Sequence, residues 1–193
     1  MKHIASLSYG KDSIAMLEII KRHDMPLDRI IHVEIMATKT IPADLPPMVE
    51  FKAKADKIIK ERYGIVVEHI QAPFSYQEYF YKKAVKGKYC GNIHGFPMAY
   101  KRAAWCNKRL KIEPLLKVQK GNIAYVGIAV DEPNRFGNLS ADIVSPLVEH
   151  DVTEAECRRI CEELNLLSPI YTQASRGVLV LPLSRLATIE IVA

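Results

Sequence analysis

Little in this 193-residue sequence would define a secreted, membrane-bound or disulfide-built protein. Four cysteines are too few to staple a chain of this length, so they read as thiols or metal ligands in a reducing compartment. No apolar run approaches the roughly 20 residues of a membrane span. Tyr9-Gly10-Lys11-Asp12 also interrupts any signal-peptide core, so a cytoplasmic protein without a membrane partner is expected. Internal repeats and low-complexity stretches are missing, and none of the six histidines shows HxxxH spacing. Neither GxxxxGK followed by Ser or Thr, nor GxGxxG, occurs, which sets aside the two commonest phosphate-loop signatures.

What is present is the ordinary material of a packed core: 49% apolar and 25% charged residues. That length and composition fit one domain with local extensions. The net charge of +5 is concentrated between Lys82 and Lys120, where basic residues alternate with tyrosines, Trp105 and two cysteines. That stretch reads equally as a solvated basic face or as a site for phosphate or nucleic acid.

Hydrophobic patterning gives a strand at Ile4 to Ser8, then a helix capped by Ser13 and continuing to Arg22. A second strand follows at 30–35, a proline-rich loop, a helix from Met48 to Tyr63 ended by Gly64, and a third strand at 65–70. Residues 74–120 read as mostly helical with loops around Gly87, Gly91 and Gly95, 122–130 as a fourth strand, and Thr153 to Asn165 as a helix opened by a Thr153-x-x-Glu156 capping box. Alternating strands and helices predict an α/β fold, a doubly wound, mainly parallel sheet with helices on both faces. Ligands of such sheets lie beyond the carboxyl ends of the strands, so the loops after Leu7, Ile35, Ile70 and Val130 should share one crevice.

The first of those loops is SLSYGKDS, Ser6 to Ser13. A turn from a strand into a helix N-terminus offers backbone N–H groups and the positive end of the helix dipole, so phosphate is its natural ligand. Gly10 allows close approach, Lys11 brings a compact cation, Ser8 and Ser13 bring hydroxyls, and Asp12 can orient Lys11 or a metal ion.

The segment SYGKDS resembles the pyrophosphate-binding loop of the adenine nucleotide alpha hydrolase-like (PP-loop ATP pyrophosphatase) superfamily. WCNKRLKIEPL, GIAVDEPNRF and the Pro-Leu, Thr-x-x-Glu, Asn-x-Leu and Pro-Ile-Tyr elements of 145–171 are similar to segments of the phosphoadenosine phosphosulfate (PAPS) reductase, or sulfonucleotide reductase, family. The resemblance implies an adenine nucleotide, ATP or the sulfated adenylates PAPS and APS, held by Ser8, Tyr9, Gly10, Lys11, Asp12 and Ser13, with Gly127, Asp131 and Arg135 completing the pocket. It places Lys11, Asp12, Cys106 and Lys111 in catalysis, with Mg²⁺ as a possible further cofactor. It also implies a thioredoxin-like electron donor. The alternatives it leaves are an ATP pyrophosphatase adenylating another substrate, or a nucleotide-binding partner in nucleic-acid modification without turnover.

Relatives in this group hold a [4Fe-4S] cluster with help from a C-terminal Cys-x-x-Cys turn, and perform reduction with a tail cysteine. Here RGVLVLP stands in place of that turn, and no cysteine follows Cys161. Cys90 and Cys106 would then be remnant ligands, half of a site. The i, i+4 pair Cys157 and Cys161 lies beside Ile160 and Leu164 on an apolar helix side and reads as core. Residues 1–176 accordingly form the nucleotide-binding domain, with a cysteine-containing helical insertion at 74–120, and 177–193 is an atypical tail. Two readings of the tail stay open: a native hydrophobic strand, or a frameshift near codon 177, because one coding for Val-Leu-Val-Leu-Pro, GTG-CTG-GTT-CTG-CCC, gives Cys-Trp-Phe-Cys-Pro when read one base later.

Overall fold

The computed structural model describes residues 1–97, 104–136 and 139–171. Five strands, β1 (His3–Ser6), β2 (Arg29–Glu34), β3 (Val67–Gln71), β4 (Ile123–Tyr125) and β5 (Ile143–Val144), form one sheet in the order β3-β2-β1-β4-β5. Every pairing is parallel, so all strand carboxyl ends meet one edge, as the alternating pattern predicts. The chain winds outward from β1 through β2 to β3, then crosses back to β4. The order therefore reverses between β1 and β4, and the loop after β1 emerges at that switch point.

Among the described residues seven α-helices accompany the sheet: α1 (Lys11–Arg22), α2 (Pro46–Tyr63), α3 (Tyr76–Tyr81), α4 (Glu113–Gln119), α5 (Pro133–Phe136), α6 (Pro146–Glu149) and α7 (Glu154–Glu163). α1 is buried continuously from Ser13 to Ile20 because the sheet covers one side while α7 and α6 pack on another. α2 opens two residues before Met48, since Pro46 and Pro47 suit a first turn whose N–H groups have no helical acceptor. Gly64 ends it in the left-handed conformation, φ 70°, as expected. Among the described residues no helix is long and apolar enough to cross a membrane.

Several expectations shift. β1 stops at Ser6, and β4 covers only three residues of the anticipated 122–130 run. The reason lies at Gly127, whose backbone is pressed against the first turn of α1 and leaves the sheet to get there. The loops expected around Gly87, Gly91 and Gly95 merge into one irregular stretch, 82–97, held by an antiparallel bridge between Lys83 and Ile93. Asn107–Ile112 is a π-helical turn running into α4. Strand β5, two residues long, carries no periodicity to detect. The tail from 172 onward, with RGVLVLP, lies outside the described residues.

A buried carboxylate ties α1 to α2. Glu18, with a side chain 3% exposed, accepts bonds from Arg62 (2.8 and 2.8 Å), Arg22 (3.0 Å) and Tyr63 (3.1 Å). Burial alone would raise its pKa, but the Arg62 and Arg22 guanidiniums outweigh burial and hold it below its ordinary 4.5. Its stabilisation is therefore complete above that value and is lost as pH falls through the lower native one. Glu18→Gln should lower unfolding free energy by about 2 kcal/mol at neutral pH. The gap from the parent should narrow as urea titrations are carried below pH 4.5 and close only once pH falls below the lowered native value, where Glu18 is neutral in both states.

A candidate phosphate site at the sheet switch point

The loop from Leu7 to Gly10 is closed on itself. The Ser8 N–H and hydroxyl both donate to Ser13 Oγ at 3.1 Å, and Ser13 Oγ donates to the Gly10 carbonyl at 2.9 Å. Ser13 is therefore not the cap of α1. Gly10 occupies that position with extended backbone, and no side chain caps the helix. Ser13 instead braces the turn from inside the first helical turn. The leading amides of α1 remain without helical acceptors and point at the switch-point crevice. The Lys11 amide is met by the hydroxyl of Tyr171 at 3.3 Å.

Tyr9 departs from expectation. Its backbone is left-handed, φ 57°, rare for a large side chain. That turn sends the ring inward, where the phenol is fully buried, donates to Asp56 and lies 3.2 Å from His69 Nε2. Burial and the Asp56 carboxylate push its pKa far up, so it stays a neutral donor. The Tyr9 side chain anchors the loop from behind and does not face the crevice.

The charged groups cluster in front. Lys11 Nζ lies 2.6 Å from Asp12 Oδ1 and 3.4 Å from Glu154 Oε1. Burial would lower the Lys11 pKa, but these two carboxylates outweigh it and raise the value. Asp12, Glu132 and Glu154 each offer an oxygen, the three lying within 4.8 Å of one another. Burial, with the Glu154 and Glu132 charges, raises the Asp12 carboxyl against the opposing pull of Lys11. Arg135 spans both Glu132 oxygens at 2.6 Å. The set is thus three carboxylates held by two cations. Its all-oxygen donors fit a hard divalent ion such as Mg²⁺, with Lys11 and Arg135 then released toward phosphate.

Lys111, delivered by the π-helical turn, has no hydrogen-bond or ion-pair partner among the described residues. Burial, then the nearby Lys52 and Arg135 charges, lower its pKa, with Asp44 opposing. Two residues expected in the pocket do other work. Asp131 is exposed and accepts the Glu154 amide at 3.0 Å, capping α7 beside Thr153. Gly127 touches the loop through its backbone: a Cβ there would lie 2.7 Å from the Asp12 carbonyl carbon and the Ser13 nitrogen.

The cysteines divide as the sequence pattern suggests. Cys157 and Cys161 are fully buried behind the loop, and the Cys161 thiol donates to the Lys11 carbonyl at 3.2 Å. Burial pushes the Cys161 thiol up to about 12. Cys90 is exposed and Cys106 half-buried, and neither belongs to a group of three convergent metal-ligating atoms among the described residues. Burial also raises the Cys106 thiol, which opposes a standing thiolate nucleophile. Two candidate thiolates do not fit the four ligands of a [4Fe-4S] cluster.

Glu132, Glu154 and Tyr171 are the site residues that motif reading passed over, although Glu132 adjoins Asp131 in GIAVDEPNRF and Tyr171 ends the Pro-Ile-Tyr element. No protein-family model matches this sequence, and neither does any curated protein. Nine solved chains match it. One is the U34-tRNA thiolase NcsA from Methanococcus maripaludis with its [4Fe-4S] cluster, at 15% identity and a TM-score of 0.45. The match covers 86% of this chain and 57% of that one, so this chain spans little more than half the length of the relative. What the sheet itself defines is a Rossmann-like α/β protein with an anion-ready loop at its switch point.

Proposed function

We propose that the chain is a PP-loop adenine-nucleotide-binding protein that cleaves ATP between its α and β phosphates. The observation that carries this reading is the pairing, at one helix N-terminus, of Lys11 and Arg135 with the carboxylates of Asp12, Glu132 and Glu154. A triphosphate arriving with its divalent ion fits such a set: the anion takes the two cations and the ion takes the carboxylates. A sulfated adenylate carries no obligatory ion and would leave the three carboxylates facing its own negative charge.

In this reading the first-turn amides of α1, with Lys11, hold the β and γ phosphates and neutralise the pyrophosphate that departs. Arg135 and the unpartnered Lys111 stand over the α phosphate, where negative charge develops as a substrate oxygen attacks phosphorus. The oxygen–phosphorus bond forms, the α–β bridging bond breaks, and pyrophosphate leaves with the electron pair. Mg²⁺ held by Asp12, Glu132 and Glu154 would supply further charge neutralisation. Gly10 and Gly127 keep the loop free of side chains, and Ser8 and Ser13 hold its shape.

The sulfonucleotide reductase reading keeps the same loop and Lys111 but requires a thiolate nucleophile, and the raised Cys106 thiol does not favour one. Incubation with ATP, and separately with a sulfated adenylate and dithiol, separates the two. Pyrophosphate is expected from ATP, with AMP in equal amount because water takes the place of the substrate oxygen when no substrate is supplied. Sulfite from the sulfated adenylate would move the protein to the reductase class, and ADP with phosphate, or nucleic-acid binding without any turnover, would contradict both.

A further inference from the structure

A second constellation lies behind the loop, and the nucleotide reading does not use it. His32 on β2, Glu34 at the end of β2 and His69 on β3 bring three ligand atoms within 4.8 Å of one another. The register places His32 directly beside His69, so both imidazoles rise from the same face of adjacent strands. Each ring is oriented by its other nitrogen. His32 Nδ1 sits 2.9 Å from the Leu7 carbonyl, an acceptor only, so that nitrogen carries the proton and Nε2 is a lone pair. His69 Nε2 sits 2.9 Å from Asp56 Oδ2, which orients the ring and turns Nδ1 toward Glu34.

Both inner nitrogens face the same carboxylate oxygen. His32 Nε2 is 3.4 Å and His69 Nδ1 is 3.5 Å from Glu34 Oε2. Ligands bound at about 2.0–2.1 Å in a tetrahedron lie about 3.3 Å apart, so these are close to the edges of a metal polyhedron. Carbonyl and carboxylate partners on the outer nitrogens are the usual supports of metal-binding histidines. A cation already marks the position: Lys52 Nζ lies 2.9 Å from His32 Nε2 and 3.0 Å from Glu34 Oε1, and also pairs with Asp44. A cavity of about 310 Å³ lined by Glu34, Lys52, Asp56 and His69, with Met36 and Val49, reaches the site from solvent.

The geometry points to a binding site for a divalent ion of the zinc class, with His32, Glu34 and His69 as ligands and its fourth position open to this cavity. Imidazole and carboxylate ligands select zinc-class ions over Mg²⁺, which separates this site from the all-oxygen set at the loop. Lys52 is the built-in competitor. When the metal enters, its ammonium withdraws to Asp44. The site touches the phosphate loop through Tyr9, whose ring is packed edge-on against His32 at 4.7 Å.

The test is titration of the chelator-treated full chain with Co²⁺, read by its visible bands, followed by displacement with Zn²⁺. One equivalent with the intense bands of tetrahedral cobalt is expected. His69→Ala and Glu34→Gln should each weaken binding at least about 100-fold, and Asp56→Asn about 10-fold. Lys52→Met should tighten it about 10-fold by removing the competing charge. Binding confined to Lys52→Met would overturn the proposal, because the lysine would then be the permanent cation. Binding that survives His69→Ala but is lost in His150→Ala would overturn it too, assigning the ion to the stacked surface pair His23 and His150. If His69→Ala does not fold, cobalt must perturb the ring resonances of His32 and His69 in the parent protein. Unperturbed rings contradict the site.

Discussion

Lys11→Ala should weaken MgATP binding by about 10- to 100-fold, the range of a lost charge-assisted bond to phosphate. The loss has two parts. The phosphate loses its cation at the N-terminus of α1, and Asp12 and Glu154, now without Lys11, turn uncompensated negative charge toward it. Lys11→Arg should recover part of the affinity, since charge returns but the compact ammonium fit does not. Calorimetric titration of the three proteins checks this. Equal dissociation constants would take the nucleotide away from the loop.

Gly127→Ala should cost about 3 kcal/mol of stability, the upper part of the overpacking range. The methyl would stand 2.7 Å from the Asp12 carbonyl carbon and the Ser13 nitrogen, and 2.8 Å from the Asp12 oxygen. Those neighbours are backbone atoms of a helix start, so they can yield only by moving the loop, and nucleotide affinity should fall as well. Gly10→Ala is the control. Its backbone is ordinary, φ −79°, and its nearest neighbours are side-chain oxygens at 3.4 Å, so a cost below about 1 kcal/mol is expected. Urea midpoints compare them, and equal costs would show that the contact at Gly127 relaxes freely.

These contrasts mark what the sequence could say and where it stopped. SLSYGKDS is a local arrangement: strand, turn and helix start fall within a few residues, so their joint placement and the phosphate chemistry are readable in one line. The parallel sheet follows from similar local alternation, except for β5, which is too short to leave a period. Tyr9 could not be placed, because a left-handed backbone at a non-glycine residue leaves no mark in composition, and that one dihedral turns the side chain from the ligand to the core. Glu132, from the loop after β4, and Glu154, at the start of α7, join Asp12 from more than a hundred residues away. Such convergence depends on the fold.

The same limit hid the His32, Glu34 and His69 cluster. Its members come from two segments, IIHVEI and IVVEHI, that only the sheet register sets side by side, and Lys52 reaches His32 and Glu34 from α2. The cysteines show the reverse case. Cys157 and Cys161 were legible as core from helical spacing alone, because burial of one helix side is a local property. Cys90 and Cys106 had no such periodicity, and nothing local brings them to a shared ligand.

The most direct measurement is amide hydrogen exchange of the full chain with and without MgATP. Protection is expected first at residues 8–14, where the loop and leading turn of α1 would meet the phosphates, with a smaller effect around Glu132 and Glu154. Protection that leaves 8–14 unchanged, or none at saturating nucleotide, would contradict a phosphate site at the switch point.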